Sequence, residues 1–250
     1  MRAPILAANW KMNHGPTEAR AFVAAFLASY TARTDRTVVL FPPALSLSTV
    51  RDALGSRADI TLGVQNIHSE AKGAFTGENS AAMAADAGAR IALVGHSERR
   101  HVFGEPDDAT AAKCALALRH GLTPMLCVGE KLEQREGGET DAVVLRQLRA
   151  GLAKLAPADA PNVLIAYEPV WAIGTGKTAT PVDAAAVHQV IRRELAARLG
   201  AKQAAAVPIL YGGSVTRDNA RALLDAENVD GLLVGGASLD PSSWSAIAST

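Results

Sequence analysis

The stretch Val163-Leu164-Ile165-Ala166-Tyr167 is a run of apolar and aromatic residues that is followed at once by Glu168 and Pro169. An apolar run without in/out alternation is typical of a strand in a parallel sheet covered on both faces. Further along, Thr180-Pro181-Val182-Asp183 offers a capping hydroxyl, a proline at the first helical position and a carboxylate at the third. The segment therefore predicts a strand, a loop and a helix that begins near Thr180.

The same pattern recurs along the whole chain. The predicted strands are Ile5–Ala8, Val38–Phe41, Ile60–Val64, Ile91–Val94, Met125–Val128, Val163–Tyr167, Ile209–Tyr211 and Leu232–Val234. Apolar stripes at helical spacing lie between several of them. The stripes are Phe22, Val23, Phe26, Leu27 and Tyr30; Val144, Leu145, Leu148, Leu152 and Leu155; and Val187, Ile191, Leu195 and Leu199. Length alone permits one or two domains, but eight strand–helix units in 250 residues predict an α/β protein with one closed (β/α)8 barrel domain over residues 1–250. An open doubly wound sheet usually has fewer strands.

The composition limits the classes of partner. The 25 Lys and Arg residues balance the 25 Asp and Glu residues, so no net charge attracts nucleic acid or an anionic membrane. Cys114 and Cys127 lie in apolar segments, and no C-x-x-C pair or Cys/His cluster indicates a metal site. Residues 1–10 contain too short an apolar run for a signal peptide or a membrane span. We therefore expect a cytoplasmic protein with no nucleic-acid, membrane or metal partner.

Polar residues directly after the strands are candidates for function, because in a closed β/α barrel these loops gather at one end. Lys11, His96 and Glu168 follow the first, fourth and sixth predicted strands. Taken singly, each has an ordinary interpretation as a solvated cation, a locally bonded imidazole or a surface carboxylate. Barrel closure would bring all three to one mouth, where a cation, an electrophile and a base can face one substrate.

Glycine pairs follow the last two predicted strands, in Gly212-Gly213-Ser214 and Gly235-Gly236. Such a pair can simply make a tight turn, but loops in these positions commonly hold a phosphate on backbone N–H groups. Two adjacent loops of this kind favour the phosphate site. The run Gly174–Thr178 is not a nucleotide-binding loop, because that motif needs glycine where Trp171 stands. No G-x-G-x-x-G is present either, so we expect no cofactor.

The segment after Glu168 joins an apolar body to glycines and predicts a hinged lid. Its residues are Pro169, Val170, Trp171, Ala172, Ile173, Gly174, Thr175, Gly176, Lys177, Thr178 and Ala179. The alternative is a packed surface loop. Apolar residues next to a base would exclude water if they closed over it. A second unusual segment, residues 65–78, is longer than most strand–helix connections and has Phe75 near its tip, so it predicts either a functional protrusion or a flexible surface loop.

Over essentially its whole length, the sequence resembles the triosephosphate isomerase family. The matching runs, in family order, are Asn9–Asn13, Val64–Asn66, Gly73–Glu78, Cys127–Glu130, residues 168–179 and Gly231–Leu239. The resemblance implies a TIM barrel that interconverts dihydroxyacetone phosphate and D-glyceraldehyde 3-phosphate through an enediol or enediolate. It also implies a place in glycolysis and gluconeogenesis.

The resemblance assigns roles to particular residues. Glu168 would be the base, His96 the electrophile and Lys11 the cation, while Asn9 would help to bind the substrate oxygen. Ser97 would begin a short helix, Ser97–Arg100, whose N-terminus would keep the neighbouring histidine neutral.

Further roles concern the phosphate, the support of the site and a partner. The residues whose main-chain groups would bind phosphate are Gly174, Ser214, Gly235 and Gly236. Glu98 would pair with the cation in the resting site, and Cys127 would pack near the base. Phe75 and Thr76 would dock the long loop into the mouth of a second subunit, which makes a homodimer the expected partner.

Two other functions stay open on the residues alone. A Schiff-base aldolase would use a barrel lysine as nucleophile and could share the phosphate loops. Lys11 lies next to Asn9, which suits a fixed charge better. A non-catalytic phosphosugar-binding barrel is the other alternative, and the presence of Lys11, His96 and Glu168 together argues against it.

Overall fold

The computed structural model describes residues 3–156, 158–173 and 178–250. Within these residues, parallel strands pair in sequence order and close into a barrel when the first strand pairs with the last. The strands are β1 Ile5–Asn9, β2 Thr37–Phe41, β3 Ile60–Val64, β4 Ile91–Val94, β5 Thr123–Val128, β6 Leu164–Tyr167, β7 Ile209–Tyr211 and β8 Gly231–Val234. The predicted closed (β/α)8 barrel is confirmed, and the predicted strands differ from the observed ones by at most two residues at an end.

Helices connect successive strands and cover the outside of the barrel. They are α1 Pro16–Ser29, α2 Leu47–Leu54, α3 Ala81–Asp86, α4 Ser97–His101, α5 Asp107–Arg119, α6 Leu132–Glu136, α7 Thr140–Gly151, α8 Pro181–Leu199, α9 Ala201–Ala206, α10 Ala220–Leu224 and α11 Pro241–Ala248. Short 3-10 turns occur at Ala44–Ser46, Ala160–Asn162, Val170–Ala172 and Gly236–Ser238. In the described chain, none of these helices is long and apolar enough to cross a bilayer.

The strands divide the core into two parts, because successive side chains point to opposite faces of a strand. One set packs outward against the helices, as Leu6 and Ala8 of β1 do, and the other fills the barrel interior. The interior residues are Ala7, Val39, Phe41, Ile91, Leu93, Met125, Cys127, Leu164, Ala166, Leu210 and Leu233. Gly63 of β3 makes room for the ring of Phe41, since a Cβ at residue 63 would lie 2.1 Å from Phe41 Cε1.

The helix start predicted at Thr180 is confirmed. Thr180 Oγ1 accepts the backbone N–H of Asp183 at 3.1 Å, and Asp183 Oδ2 accepts the N–H of Thr180 at 2.9 Å. This reciprocal pair satisfies two N–H groups that the first turn of α8 leaves without intrahelical partners. The cap fixes where the chain leaves the predicted lid and enters α8.

Candidate active site

A cavity of ≈ 340 Å³ opens at the carboxyl ends of the strands. Its walls come from the loops after β1, β4, β6, β7 and β8, which are far apart in sequence. The lining residues are Asn9, Lys11, His96, Glu168, Ile173, Gly212, Gly213, Ser214, Val215, Thr216, Leu233, Gly235, Gly236 and Ala237. Barrel closure thus brings the proposed base, electrophile and cation to one pocket with the proposed phosphate loops. Gly174, the remaining residue of the phosphate set, lies outside the described residues.

The Glu168 carboxylate is buried, with only 2% of its surface exposed, and it is held by two donors. Oε2 accepts the backbone N–H of Ser97 at 2.8 Å, and Oε1 lies 2.9 Å from His96 Nε2. Burial raises the pKa of Glu168, but the charge and hydrogen bond of His96 and the Ser97 N–H lower it more, so the net shift is downward. Residue type alone predicts only the desolvation, which acts in the opposite direction. In this resting arrangement the carboxylate is desolvated but is not a strong base.

His96 precedes α4 and accepts the N–H of Glu98 at Nδ1, over 3.3 Å. Nδ1 therefore carries no hydrogen in the tautomer that fits this bond, and the ring hydrogen is assigned to Nε2, facing the cavity. Burial lowers the pKa of His96, whereas the charge and hydrogen bond of Glu168 raise it more, and the net shift is upward. The helix N-terminus, the influence expected from the sequence, opposes this rise.

Lys11 is held both at its ammonium group and along its backbone. Lys11 Nζ donates to Glu98 Oε1 at 2.7 Å. Its backbone has φ 51°, a left-handed conformation that is unusual for a side chain without special support. Asn9 Oδ1 accepts the Lys11 N–H at 3.0 Å, and Gln65 Nε2 donates to the Lys11 carbonyl at 2.8 Å. Gln65 was not among the predicted site residues, because its side chain bonds backbone carbonyls, which the sequence does not reveal.

The glycine pair after β7 has a steric reason in addition to the proposed phosphate role. A Cβ at Gly213 would lie 2.1 Å from the hydroxyl oxygen of Tyr211, and a Cβ at Gly212 would lie 2.9 Å from Glu168 Cγ. Contacts this short do not occur for real side chains. The pair therefore gives Tyr211 and the base the space that they occupy, while Ser214 lines the cavity next to it.

Residues 169–173, the described N-terminal part of the predicted lid, pack against the segment that follows β5. Trp171 Nε1 donates to Glu130 Oε1 at 2.8 Å, and the Tyr167 hydroxyl donates to the same oxygen at 3.1 Å. The guanidinium of Arg135 lies 4.5 Å from the centroid of the Trp171 ring. Burial raises the pKa of Glu130, although these hydrogen bonds lower it in part. Glu130 and Arg135 were not among the predicted site residues, and lid residues 174–177 lie outside the described part of the chain.

The remaining predicted residues lie around this pocket or away from it. Cys127 is fully buried inside the barrel, where burial and the charge of Glu168 raise the pKa of its thiol. No strand or helix lies between β3 and α3, so residues 65–78 form the long connection expected. Phe75 is 42% exposed there and its ring contacts His68, with centroids 4.0 Å apart, and Thr76 is exposed. Among the described residues, no group of three or more His, Cys, Asp and Glu side chains could hold a metal ion.

Comparison with known proteins gives a consistent result along the chain. The family described as "Triosephosphate isomerase" matches residues 4–250. A triosephosphate isomerase of Symbiobacterium thermophilum is 50% identical over 248 residues, covering 99% of this chain and 96% of that protein. One from Roseiflexus sp. strain RS-1 is 49% identical over 98% of this chain and 96% of its own length, and one from Solibacter usitatus is 45% identical over 99% of both. The barrel, the pocket and these matches over nearly the full length lead to one conclusion: the chain belongs to the triosephosphate isomerase family.

Proposed function

We propose that the chain interconverts dihydroxyacetone phosphate and D-glyceraldehyde 3-phosphate, with Glu168 as the base that moves the proton. The observation that carries the proposal is the buried Glu168 carboxylate, 2.9 Å from His96 Nε2 at the wall of a pocket that Lys11 and two glycine loops also line. A base, a hydrogen-bond donor and a cation around one small cavity are the groups that proton abstraction next to a carbonyl requires.

The reaction needs one base used twice. Glu168 takes a proton from the hydroxymethyl carbon, the electron pair forms a carbon–carbon double bond, and negative charge moves to the neighbouring carbonyl oxygen. After a hydrogen moves between the two oxygens, Glu168 returns its proton to the second carbon and the aldehyde forms. To reach a substrate carbon, the carboxylate leaves the Ser97 N–H and His96. Loss of those donors raises its pKa, because burial remains and the largest influences that lower the pKa, those of His96 and the Ser97 N–H, are weakened.

The oxygen of the substrate has a place prepared by two donors. Asn9 Nδ2 lies 3.2 Å from His96 Nε2, and the amide orientation is set because Asn9 Oδ1 accepts the N–H of Lys11. In the assigned tautomer both nitrogens are donors, and the single Nε2 hydrogen is directed to Glu168 Oε1 until the carboxylate moves to the substrate. A carbonyl or enediolate oxygen placed there would accept from both, and the nearby ammonium group of Lys11 would stabilise its charge.

The phosphate is proposed to rest on the loops after β7 and β8. Ser214, Gly235 and Gly236 line the same cavity as the base, and a Cβ at residue 235 would lie 3.4 Å from Lys11 Cε. Residue 235 therefore lies beside the Lys11 side chain, so a phosphate held on its backbone would also be near the cation. The lid, residues 169–179, is proposed to close over this ligand and exclude water, which would strengthen the donors and protect the enediolate from loss of phosphate.

The geometry argues against the aldolase alternative. The Lys11 ammonium donates to Glu98 at 2.7 Å, and a protonated, ion-paired lysine is not a nucleophile. Reduction with borohydride in the presence of glyceraldehyde 3-phosphate should leave the mass of the protein unchanged. A gain equal to a reduced imine adduct would instead support the aldolase.

The substitution Glu168→Gln tests the function. A coupled assay with glyceraldehyde 3-phosphate should show turnover reduced by about a hundredfold to ten-thousandfold, since a general base contributes roughly 10² to 10⁴ in rate. Ligand binding measured by calorimetry should change little. The matched control is Glu136→Gln, an exposed carboxylate of α6 outside the pocket, which should keep wild-type turnover. Near-normal turnover in Glu168→Gln would remove the base assignment.

A homodimer is proposed as the assembly. In addition to Phe75, several large apolar side chains are strongly exposed to solvent. They are Met12, Leu45, Met83, Val102 and Phe103. Met12 follows Lys11 directly in the sequence, so its exposed side chain would be available for contact with a second subunit docked at the mouth. Light scattering at micromolar concentration should give twice the mass of one chain, and a monomer mass would contradict the proposal. The cytoplasmic location and the single-domain organisation over residues 1–250 stay predictions.

A further inference from the structure

A buried amide on α7 holds one peptide of the loop after β5 from both sides. Gln147 is 3% exposed, its Oε1 accepts the N–H of Gly129 at 2.7 Å, and its Nε2 donates to the carbonyl of Gly129 at 3.2 Å. A single side chain that bonds both the N–H and the C=O of one residue restrains the rotation of that residue as well as its position. The proposed chemistry uses neither Gln147 nor Gly129.

Gly129 in turn lies against the backbone of the proposed base. A Cβ at Gly129 would be 1.7 Å from the carbonyl oxygen of Glu168 and 2.6 Å from its carbonyl carbon. The chain on either side is hydrogen-bonded to the same segment, because the Glu168 N–H donates to Val128 O at 2.8 Å and the Val170 N–H donates to Glu130 O at 3.1 Å. Residues 128–130 therefore hold the backbone of Glu168 in place, with hydrogen bonds at Val128 and Glu130 and a close van der Waals contact at Gly129.

We propose that Gln147 is a positioning residue for the reaction. It fixes the position of the Glu168 carboxylate by holding the Gly129 peptide against the backbone of Glu168. The proposal rests on the function proposed above. Displacement of a base by a fraction of an ångström alters proton transfer while leaving the groups that bind the oxygen and the phosphate in place. Gln147 should therefore affect kcat far more than KM.

A purely structural role for Gln147 makes a different prediction. If the amide only satisfies two buried backbone groups, its removal lowers the free energy of unfolding, and the folded fraction keeps its wild-type kcat. The control for destabilisation is Val144→Ala, which removes buried packing from the same helix and leaves both hydrogen bonds between Gln147 and Gly129 in place. Val144→Ala should lower stability and leave kcat per folded molecule unchanged.

The first variant is Gln147→Met, which keeps the volume and loses both hydrogen bonds. We expect kcat to fall by about 10- to 100-fold with KM for glyceraldehyde 3-phosphate near its wild-type value, the range for a base misplaced by up to an ångström. Wild-type kcat in the folded fraction of Gln147→Met, at a stability equal to that of Val144→Ala, would overturn the proposal.

The second variant, Gln147→Glu, adds a signature in the pH profile. A protonated carboxyl group has one O–H donor and one acceptor oxygen, so it can reproduce both bonds of the amide, whereas a carboxylate has no donor for the Gly129 carbonyl. Burial raises the pKa of such a group. Relative to wild type at each pH, kcat of Gln147→Glu should recover as the pH falls through this new pKa. A constant ratio at all pH values would contradict the proposal, and this variant decides the question if Gln147→Met does not fold.

Measurement of Glu168→Gln in the same series distinguishes failure of the proposed function from failure of the positioning role of Gln147. If Glu168→Gln retains turnover, the proposed function fails. If Glu168→Gln loses turnover while both Gln147 variants keep wild-type kcat and pH dependence, only the positioning role fails.

Discussion

The buried imidazole of His188 should make the stability of the protein depend on pH. His188 lies on α8 with no exposed surface; its Nδ1 is 2.9 Å from the Asn228 carbonyl, and within the described residues its Nε2 has no hydrogen-bond partner. The Tyr167 ring packs edge-on against the imidazole. The charge of Asp230 raises the pKa of His188 and the charge of Arg192 lowers it. Burial lowers the pKa of His188 from 6.5 to about 4, although the Asn228 carbonyl and Asp230 oppose the shift.

The sign and size of the effect follow from this difference in pKa. Between pH 6.5 and about pH 4 the unfolded chain binds a proton at residue 188 that the folded chain does not. The stability is therefore complete above the unfolded value and falls as the pH is lowered through this window. The slope is about 1.4 kcal/mol per pH unit, so the full loss is about 3 kcal/mol.

Urea denaturation at fixed protein concentration, at about pH 7.5 and about pH 4.5, measures this loss. Because pH 4.5 covers about two units of the window, wild type should lose about 2.5 kcal/mol more between the two conditions than His188→Gln, which cannot take up the proton. Each protein is compared with itself, so a general destabilisation by the substitution cancels. His120→Gln, at a partly exposed histidine, should keep the wild-type dependence. Equal losses in wild type and His188→Gln would refute the reasoning.

Three further predictions concern the lid, the cap of α8 and the barrel interior. Trp171 fluorescence should change when a triose-phosphate analogue binds, because closure would disturb the bond to Glu130; an unchanged signal with calorimetrically verified binding counts against the lid. Thr180→Ala should lower the free energy of unfolding in urea by about 1 kcal/mol while Thr180→Ser changes it little, since only alanine removes the capping oxygen; equal losses would contradict the role of the cap. Gly63→Ala should cost about 1–3 kcal/mol in the same assay through its clash with Phe41, and adding Phe41→Leu should restore part of that loss; no restoration would show that the ring is not the cause.

The strands could be predicted because each is a short apolar run between polar loops, and eight such runs imply closure. Their ends were less certain because backbone pairing, which residue type does not reveal, decides them. Asn9 belongs to β1 since it pairs with Phe41 of β2, although its side chain is polar. Val163 is apolar and still lies outside β6.

The candidate site was predictable where a polar side chain directly follows a strand, as Lys11, His96 and Glu168 do. Residues that act through backbone atoms were missed, because glutamines such as Gln65 and Gln147 look in sequence like solvated side chains. The position of Gln147 in the sequence did indicate that its side chain is buried. It stands three residues after Val144 and one before Leu148, within the apolar face of α7, and a polar residue at a buried helical position needs a partner.

The electrostatics of the pocket could not be predicted from residue type. Desolvation alone would make Glu168 more basic, but its pKa depends on whether His96 and the Ser97 N–H face it, and these contacts exist only after the barrel closes. The same holds for His96, whose net shift reverses the direction expected from burial and a helix N-terminus.

The end of β5 contributes no side chain to the walls of the pocket as described, yet its peptides hold the backbone of Glu168. A directed-evolution library of this enzyme that varied only residues in contact with the substrate would introduce no substitutions in β5 or in α7, which packs behind it. A library at Gln147 and its helical neighbours would instead vary the position of the proposed catalytic carboxylate while the substrate-contacting surface stays constant. Changes in turnover without changes in substrate preference should be found there.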